Sequence, residues 1–282
     1  MRKVKALGQH FLTSRPILRK IVDTIAPEKD ELVIEIGAGQ GALTFPLADR
    51  AGKVIAIEKD KSLIPFLLEG NKSNLIVLQQ DILRLDLRKL VAEEPAFRRR
   101  VKLVGNLPYS ISSPLLFKVL ENKDLFSACV FLLQKEVAER LGASPGSKDY
   151  APLSILFQRY FDVRLCFTVA PGAFSPPPQV QSSLVALTRR PRPLFPVADE
   201  DRFRRFLRMS FAQRRKTLLN NLKSGPYPLD LLRESFRHFS LGETVRAEQL
   251  SIGQFVELLE RLEADLHSRG KPSGNGKATS KV

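Results

Sequence analysis

The chain has 282 residues, 43% of them hydrophobic, enough for one domain of average size and a smaller one. Lys and Arg number 45 against 30 Asp and Glu, a net charge of +15, which favours a polyanionic partner through counterion release and steering. No run of about 18 apolar residues is present to form a transmembrane span, the basic N-terminus lacks the apolar core of a secretory signal, and the basic stretches lack the aromatic face of an interfacial helix.

From residue 31 onward, short apolar runs alternate with longer amphipathic ones. ELVIEIGAG reads as a strand ending in glycines and GALTFPLADRA as a helix. KVIAIEKD is a second strand, SLIPFLLEGN a second helix, NLIVLQQD a third strand, RVKLVGNLPY contains a fourth, and SACVFLLQKEVAERL runs from strand into helix. Buried, β-branched strands alternating with helices predict a parallel, doubly wound α/β sheet. VRLCFTVAPGAF and SSLVALTRR read as a closing pair of strands. PRPLFPVADE, residues 191–200, has three prolines and no periodicity and reads as a linker. Beyond it Phe203, Phe206, Leu207, Ser210 and Phe211 follow helical spacing, and LDLLRESF and SIGQFVELLERLEADL continue in helical style. The expected organisation is a sheet domain with an N-terminal arm over 1–190, the linker, a small all-helical domain over 201–265, and a Gly/Ser/Lys-rich disordered tail over 266–282. Cys129 and Cys166 sit in apolar stretches, as reduced thiols of a cytoplasmic protein do. Together with the scattered His10, His238 and His267 they match no metal-ligand spacing, so no metal is expected.

Gly37, Gly39 and Gly41 lie between the first strand and its helix, where glycine permits a tight turn and close approach of backbone to a ligand. Glu58 closes the second strand, where an acid can bind ribose hydroxyls. Gly37, Gly39 and Ala42 also fit G-x-G-x-x-G/A, so this stretch alone leaves a nicotinamide enzyme open. Asp81 and Asn106 end the third and fourth strands. Ligands of open α/β sheets bind beyond the carboxyl ends of strands, and Gly37, Glu58, Asp81 and Asn106 in consecutive units point to a nucleoside-containing cofactor. A dehydrogenase would further need a proton donor, and no His is a candidate near the strand ends.

Asn106, Leu107, Pro108 and Tyr109 suit one chemistry, transfer of a methyl group to the exocyclic amine of a base. The lone pair of that amine is delocalised into the ring. Two acceptors, the Asn106 side-chain carbonyl and the main-chain carbonyl of Leu107 or Pro108, can hold its N–H groups and aim the lone pair. Pro108 stiffens the turn, and Tyr109 offers a stacking face worth about 1–3 kcal/mol per base. Phe174, just before the stiff triproline Pro176–Pro178, is the expected second ring, so that Tyr109 and Phe174 would sandwich an extruded base.

KALGQHFL, EIGAGQGALT, VGNLPYSISSPLLF, QKEVAERL, FSPPPQVQSSLVAL and SFAQRRKTLLNNL together resemble the ribosomal RNA adenine N6-dimethyltransferases, in particular the bacterial small-subunit branch, over roughly residues 5 to 262. The resemblance implies a Rossmann-like S-adenosylmethionine-dependent methyltransferase sheet followed by a helical RNA-binding domain. It implies cofactor binding by His10, Leu12, Gly37, Glu58, Asp81 and Asn106, and catalysis by Asn106, Leu107, Pro108, Tyr109 and Phe174. His10 stands where many relatives carry Asn; either can hydrogen-bond. The implied reaction is N6-dimethylation of two adjacent adenosines in a hairpin near the 3′ end of small-subunit (16S) RNA, within an immature 30S subunit, with a role in subunit biogenesis. A cytoplasmic monomer is expected. Two alternatives remain, a large-subunit RNA adenine methyltransferase and a non-catalytic RNA-binding assembly factor. The intact strand-end set argues against the second.

Residues Arg202 to Lys216 hold seven basic side chains and no acid, and the N-terminal arm adds Arg2, Lys3, Lys5, Arg15, Arg19 and Lys20. Both patches suit RNA phosphates, which position an RNA without reading its sequence.

Overall fold

The structure is a computed structural model and describes residues 10–97 and 100–269. The described chain forms strands β1 (Phe11–Leu12), β2 (Leu32–Ile36), β3 (Lys53–Glu58), β4 (Leu75–Gln79), β5 (Val101–Asn106), β6 (Ala128–Gln134), β7 (Phe161–Val169), β8 (Phe174–Ser175) and β9 (Ser182–Arg189). The helices are α1 (Arg15–Ile25), α2 (Thr44–Arg50), α3 (Ile64–Glu69), α4 (Leu87–Ala92), α5 (Ser112–Glu121), α6 (Lys135–Leu141), α7 (Pro152–Tyr160), α8 (Glu200–Ser210), α9 (Leu218–Leu222), α10 (Leu229–His238) and α11 (Ile252–Arg269).

The seven-stranded sheet has the order β4-β3-β2-β5-β6-β9-β7. The first five are parallel, and β9 and β7 close the sheet antiparallel. The residues dictate this. LVIEI and KVIAIE are buried at almost every position, as parallel strands covered on both faces must be. The chain runs outward from β2 to β4 and then crosses back to β5, so strand order reverses between β2 and β5. Crevices at such reversals, beyond the strand carboxyl ends, are where open sheets bind ligands.

Residues 15–25, expected only as part of a basic arm, form α1. Ile21, Val22 and Ile25 pack under it with Leu47 and Ala48 of α2 and Val33, Val104 and Val130 of the sheet, while Arg15, Arg19 and Lys20 face solvent. A separate pairing joins β1 to β8, with Leu12 opposite Phe174, and so ties the start of the described chain to the proline-rich loop.

The chain divides into two units. One takes the chain up to Gly142 together with Leu156–Pro193; the other takes Ala143–Ile155 and everything from Leu194. The stretch 143–155, expected inside the first domain, therefore clusters with the second unit. There Tyr150 is fully buried with its ring against Phe211, and the Gly146 N–H donates to the Glu248 carbonyl. In the second unit Phe203, Phe206, Leu207 and Ser210 are the buried stripe of α8, whereas Phe211 is only half-buried. α8 starts at Glu200, inside the expected linker, because the Asp199 carboxylate caps it on the Arg202 N–H at 2.8 Å. α11 runs through Arg269, so 266–269 of the expected tail are helical; the remainder of the tail lies outside the described residues. Among the described residues no helix is long and apolar enough to cross a membrane.

Candidate active site

A cavity of about 170 Å³ opens beyond the carboxyl ends of β2 to β5, and His10, Gly37, Gly39, Glu58, Asp81, Asn106, Leu107, Pro108, Tyr109 and Phe174 all line it. Leu12 does not. It is buried in the core and lines a neighbouring cavity of about 700 Å³ between α1, α2 and the sheet, which shares Phe11, Gly37, Gly39 and Asn106 with the first.

Gly39 has φ +59°, and a Cβ there would meet the Phe11 ring at 3.2 Å. The chain thus turns left-handed at a point where a side chain would also crowd the arm. The Gly39 N–H donates to Glu58 Oε2 at 2.9 Å, and the Asp60 N–H donates to Glu58 Oε1 at 2.8 Å. Glu58 is buried, and each oxygen keeps a lone pair for a further donor. Asp81 accepts the Leu83 N–H at 3.0 Å and pairs with Lys59 Nζ at 3.0 Å. The Lys59 contact first, then the Leu83 amide, holds its carboxyl below the usual range.

Asn106 is turned by the arm. Its Nδ2 donates to the His10 carbonyl at 2.9 Å, and among the described residues Oδ1 accepts nothing. The two candidate main-chain acceptors differ. The Pro108 carbonyl already accepts the Ile111 N–H at 3.1 Å and the Ser112 hydroxyl at 3.2 Å. The Leu107 N–H donates to the Leu132 carbonyl at 3.1 Å, and among the described residues the Leu107 carbonyl accepts nothing. Of the two, Leu107 is the one able to receive an amine.

The ring beside Tyr109 is His10, with centroids 5.6 Å apart and planes at 37°. Phe174 reaches the same cavity but is 5% exposed and packs into the core with Leu12 and Val169. Among the described residues no ring contact joins Phe174 to Tyr109, although both line the cavity.

One residue that the sequence reading passed over is Glu35, at the fourth position of LVIEI. It is 2% exposed, lines the larger cavity beside the glycine turn, and among the described residues its Oε2 has no hydrogen-bond partner. Burial pushes its carboxyl up to about 8, opposed by the Thr44 hydroxyl and reinforced by the Glu58 carboxylate. The signal was available: a lone acid in an otherwise apolar buried strand is costly unless used.

The basic patches are partly committed. Arg202 is drawn to Glu263 and Asp199, and Arg204 is half-buried. Arg205, Arg208, Arg214, Arg215 and Lys216 remain exposed, though Arg214 also donates to the Lys148 carbonyl. On the arm, Lys20 Nζ lies 4.1 Å over the Phe167 ring. Arg2, Lys3 and Lys5 lie outside the described residues.

The profile of the ribosomal RNA adenine dimethylase family matches residues 1–264. The ribosomal RNA small subunit methyltransferase A of Geobacter sulfurreducens is 44% identical over 269 residues, covering 93% of this chain and 96% of that protein. The protein of the same name from Bacillus mycoides is 42% identical over 264 residues, covering 92% and 90%. Among solved structures, a dimethyladenosine transferase from Plasmodium falciparum matches with a TM-score of 0.75 at 28% identity, covering 90% of this chain and 98% of that one. The 23S rRNA methyltransferase ErmE matches with a TM-score of 0.69 at 26% identity, covering 90% and 99%.

Proposed function

The chain belongs to the ribosomal RNA adenine dimethylase family, and from that premise we propose that it uses S-adenosylmethionine to dimethylate N6 of two adjacent adenosines in a hairpin near the 3′ end of small-subunit RNA. The reading places its action on an immature small subunit and gives it a part in subunit biogenesis.

The residues fit such a cofactor. The Gly37–Gly39 turn leaves room against the backbone. Glu58 has spare acceptor capacity for a ribose diol. Asp81 suits the donors of an adenine edge, and the unpartnered Glu35 oxygen suits a cationic amino-acid end. When bound, the cofactor supplies an electrophilic methyl group on a sulfonium centre.

The observation that carries the reading is the Asn106–Leu107 pair of acceptors. Asn106 commits one amide N–H to the His10 carbonyl and keeps its side-chain carbonyl as an acceptor at the cavity it lines; Leu107 adds a main-chain carbonyl on a residue held by a strand-end hydrogen bond. Together they accept both N6–H groups of an adenine. This draws the nitrogen away from conjugation and exposes its lone pair on the cofactor side. Catalysis then rests on positioning, with no strong base at the amine. Once methylated, the nitrogen is acidic and loses its proton to water or to one of the two carbonyls on the way to water. Tyr109 provides the stacking face for a base taken out of its helix. We further assign phosphate binding to the exposed Arg205, Arg208, Arg214, Arg215 and Lys216 of the helical unit.

The test is methyl transfer from labelled S-adenosylmethionine to immature small subunits, with large subunits as the comparison substrate, and N6-dimethyladenosine as the product scored. Asn106→Ala should abolish transfer while leaving the fold intact. Transfer to large subunits alone would move the reading to the other branch, and an active Asn106→Ala protein would refute the clamp.

A further inference from the structure

Tyr109 opens a short 3-10 turn whose hydrogen bonds close on the Pro108 carbonyl and leave the phenol ring unrestrained. The restraint comes from a residue 73 positions away: the Ser182 hydroxyl lies 3.0 Å from the Tyr109 hydroxyl. Ser182 is 1% exposed and is the first residue of β9, opposite Gln134 of β6 on one side and Val169 of β7 on the other. Ladders on both sides fix its Cα, and burial restricts its side chain, so it is a rigid anchor in a way that a loop serine is not. It also follows directly on the proline-rich loop whose Pro176 carbonyl is 2.8 Å from His10 Nδ1. The Tyr109 ring is thus bracketed at its hydroxyl end by Ser182 and across from it by His10.

We propose that Ser182 is a positioning residue for the methyl-transfer reaction: by hydrogen-bonding the Tyr109 hydroxyl it holds that ring in one orientation at the cavity, so that an extruded adenine meets a fixed stacking face. The inference rests on the base-clamp reading of the site and deepens it. An unanchored phenol would rotate about its side-chain bonds and present its face to the base for only part of the time. Reaction rate falls when a positioning contact of this kind is lost, even though every atom that touches the substrate remains. Either hydroxyl can donate, so the pair survives whichever proton is shared.

The experiment compares wild type with Ser182→Ala, Tyr109→Phe and the double variant on immature small subunits, measuring kcat, KM for the RNA substrate and calorimetric affinity for S-adenosylmethionine. A second readout places 2-aminopurine at the target position and follows its fluorescence on extrusion and stacking. Loss of one neutral hydrogen bond should lower kcat by roughly three- to tenfold in each single variant. The double variant should be no slower than either single one, because all three lack the same bond. Cofactor affinity should not change, and the stacked 2-aminopurine signal should weaken. Wild-type kcat in Tyr109→Phe, or losses that multiply in the double variant, would overturn the proposal, the latter because Ser182 would then be acting through the strand and not through the phenol. Asn106→Ala separates the two levels. If it is inactive while Ser182→Ala and Tyr109→Phe match wild type, only the role of Ser182 falls; if it is active, the clamp reading and this inference fall together.

Discussion

Replacing Glu35 with Gln should stabilise the protein at neutral pH and do almost nothing in acid. The carboxyl is buried near the carboxyl end of β2, and its pKa is raised from 4.5 to about 8. In the unfolded chain it ionises normally. Below the unfolded pKa both states carry the proton and the group costs nothing. As pH rises from there toward the folded pKa, the unfolded chain loses its proton while the folded one keeps it, so stability falls across that window and levels off beyond it. With about 1.4 kcal/mol for each unit of separation, the native state is penalised by about 1 kcal/mol at pH 5, about 3 at pH 7 and about 4 at pH 8. Gln keeps the shape of the neutral acid and does not titrate, so the difference in unfolding free energy between variant and wild type should grow by about 3 kcal/mol from pH 5 to pH 8. The assay is urea unfolding of cofactor-free protein, followed by far-ultraviolet circular dichroism at pH 5, 6, 7 and 8. Subtracting one protein from the other cancels the titrating groups that are not coupled to Glu35, Glu58 being the one that is. A difference that stays flat with pH would mean that water or a rearrangement already satisfies Glu35, and the fit of its unpartnered oxygen to a cationic ligand would lose its physical basis.

Two further changes probe the cofactor turn and the RNA surface. Gly39→Ala puts a Cβ at φ +59° and 3.2 Å from the Phe11 ring; a left-handed residue costs about 1–2 kcal/mol, so if the turn gives way by that amount calorimetry should show roughly five- to thirtyfold weaker binding of S-adenosylmethionine while the far-ultraviolet spectrum is kept, and unchanged affinity would refute the close-approach argument. Arg205, Arg208 and Arg215 are exposed and make no ion pair among the described residues; replacing each by Ala should reduce the slope of log affinity against log salt by about 0.7–0.9, and an unchanged slope would remove that side chain from the phosphate track.

The sheet and the glycine turn were legible because their signals are local and redundant. Each parallel strand is buried on both faces and therefore reads as an apolar run, and the glycine turn interrupts one such run at a fixed point. The helix α1 carried an equally clear apolar stripe at Ile17, Leu18, Ile21, Val22 and Ile25, but the charges of Arg15, Arg19 and Lys20 drew attention to its solvent face. The β1–β8 pairing could not be read, since two-residue strands have no period. Nor could the placement of residues 143–155 with the second unit, where Gly, Ser and Pro suggest a loop and only the burial of Tyr150 fixes where the loop belongs. At the site, sequence named groups that, Leu12 apart, line one cavity, but not their hydrogen bonds. The choice between Leu107 and Pro108 depends on which carbonyl the following turn consumes. That His10 stands against Tyr109 depends on how the arm crosses the sheet.

In the proposed site, register is what would bring methyl donor and acceptor together. β2 and β5 are neighbours at the reversal of strand order, with Ile36 opposite Gly105. Gly37 and Asn106, the next residues on each strand, therefore emerge side by side, the first opening the glycine turn proposed for the cofactor and the second the proposed amine clamp. Gly105 makes that approach feasible, since a Cβ at this position would lie 2.5 Å from the Ile36 carbonyl oxygen. The contact is to backbone and cannot yield by a rotamer change. Any side chain at 105 must push β5 away from β2 or break the pairing, and either shift would separate the two halves of the site. A displacement of about 1 Å at reacting groups is enough to cost on the order of a hundredfold in rate. The glycine immediately before Asn106 would thus act on the chemistry through strand spacing.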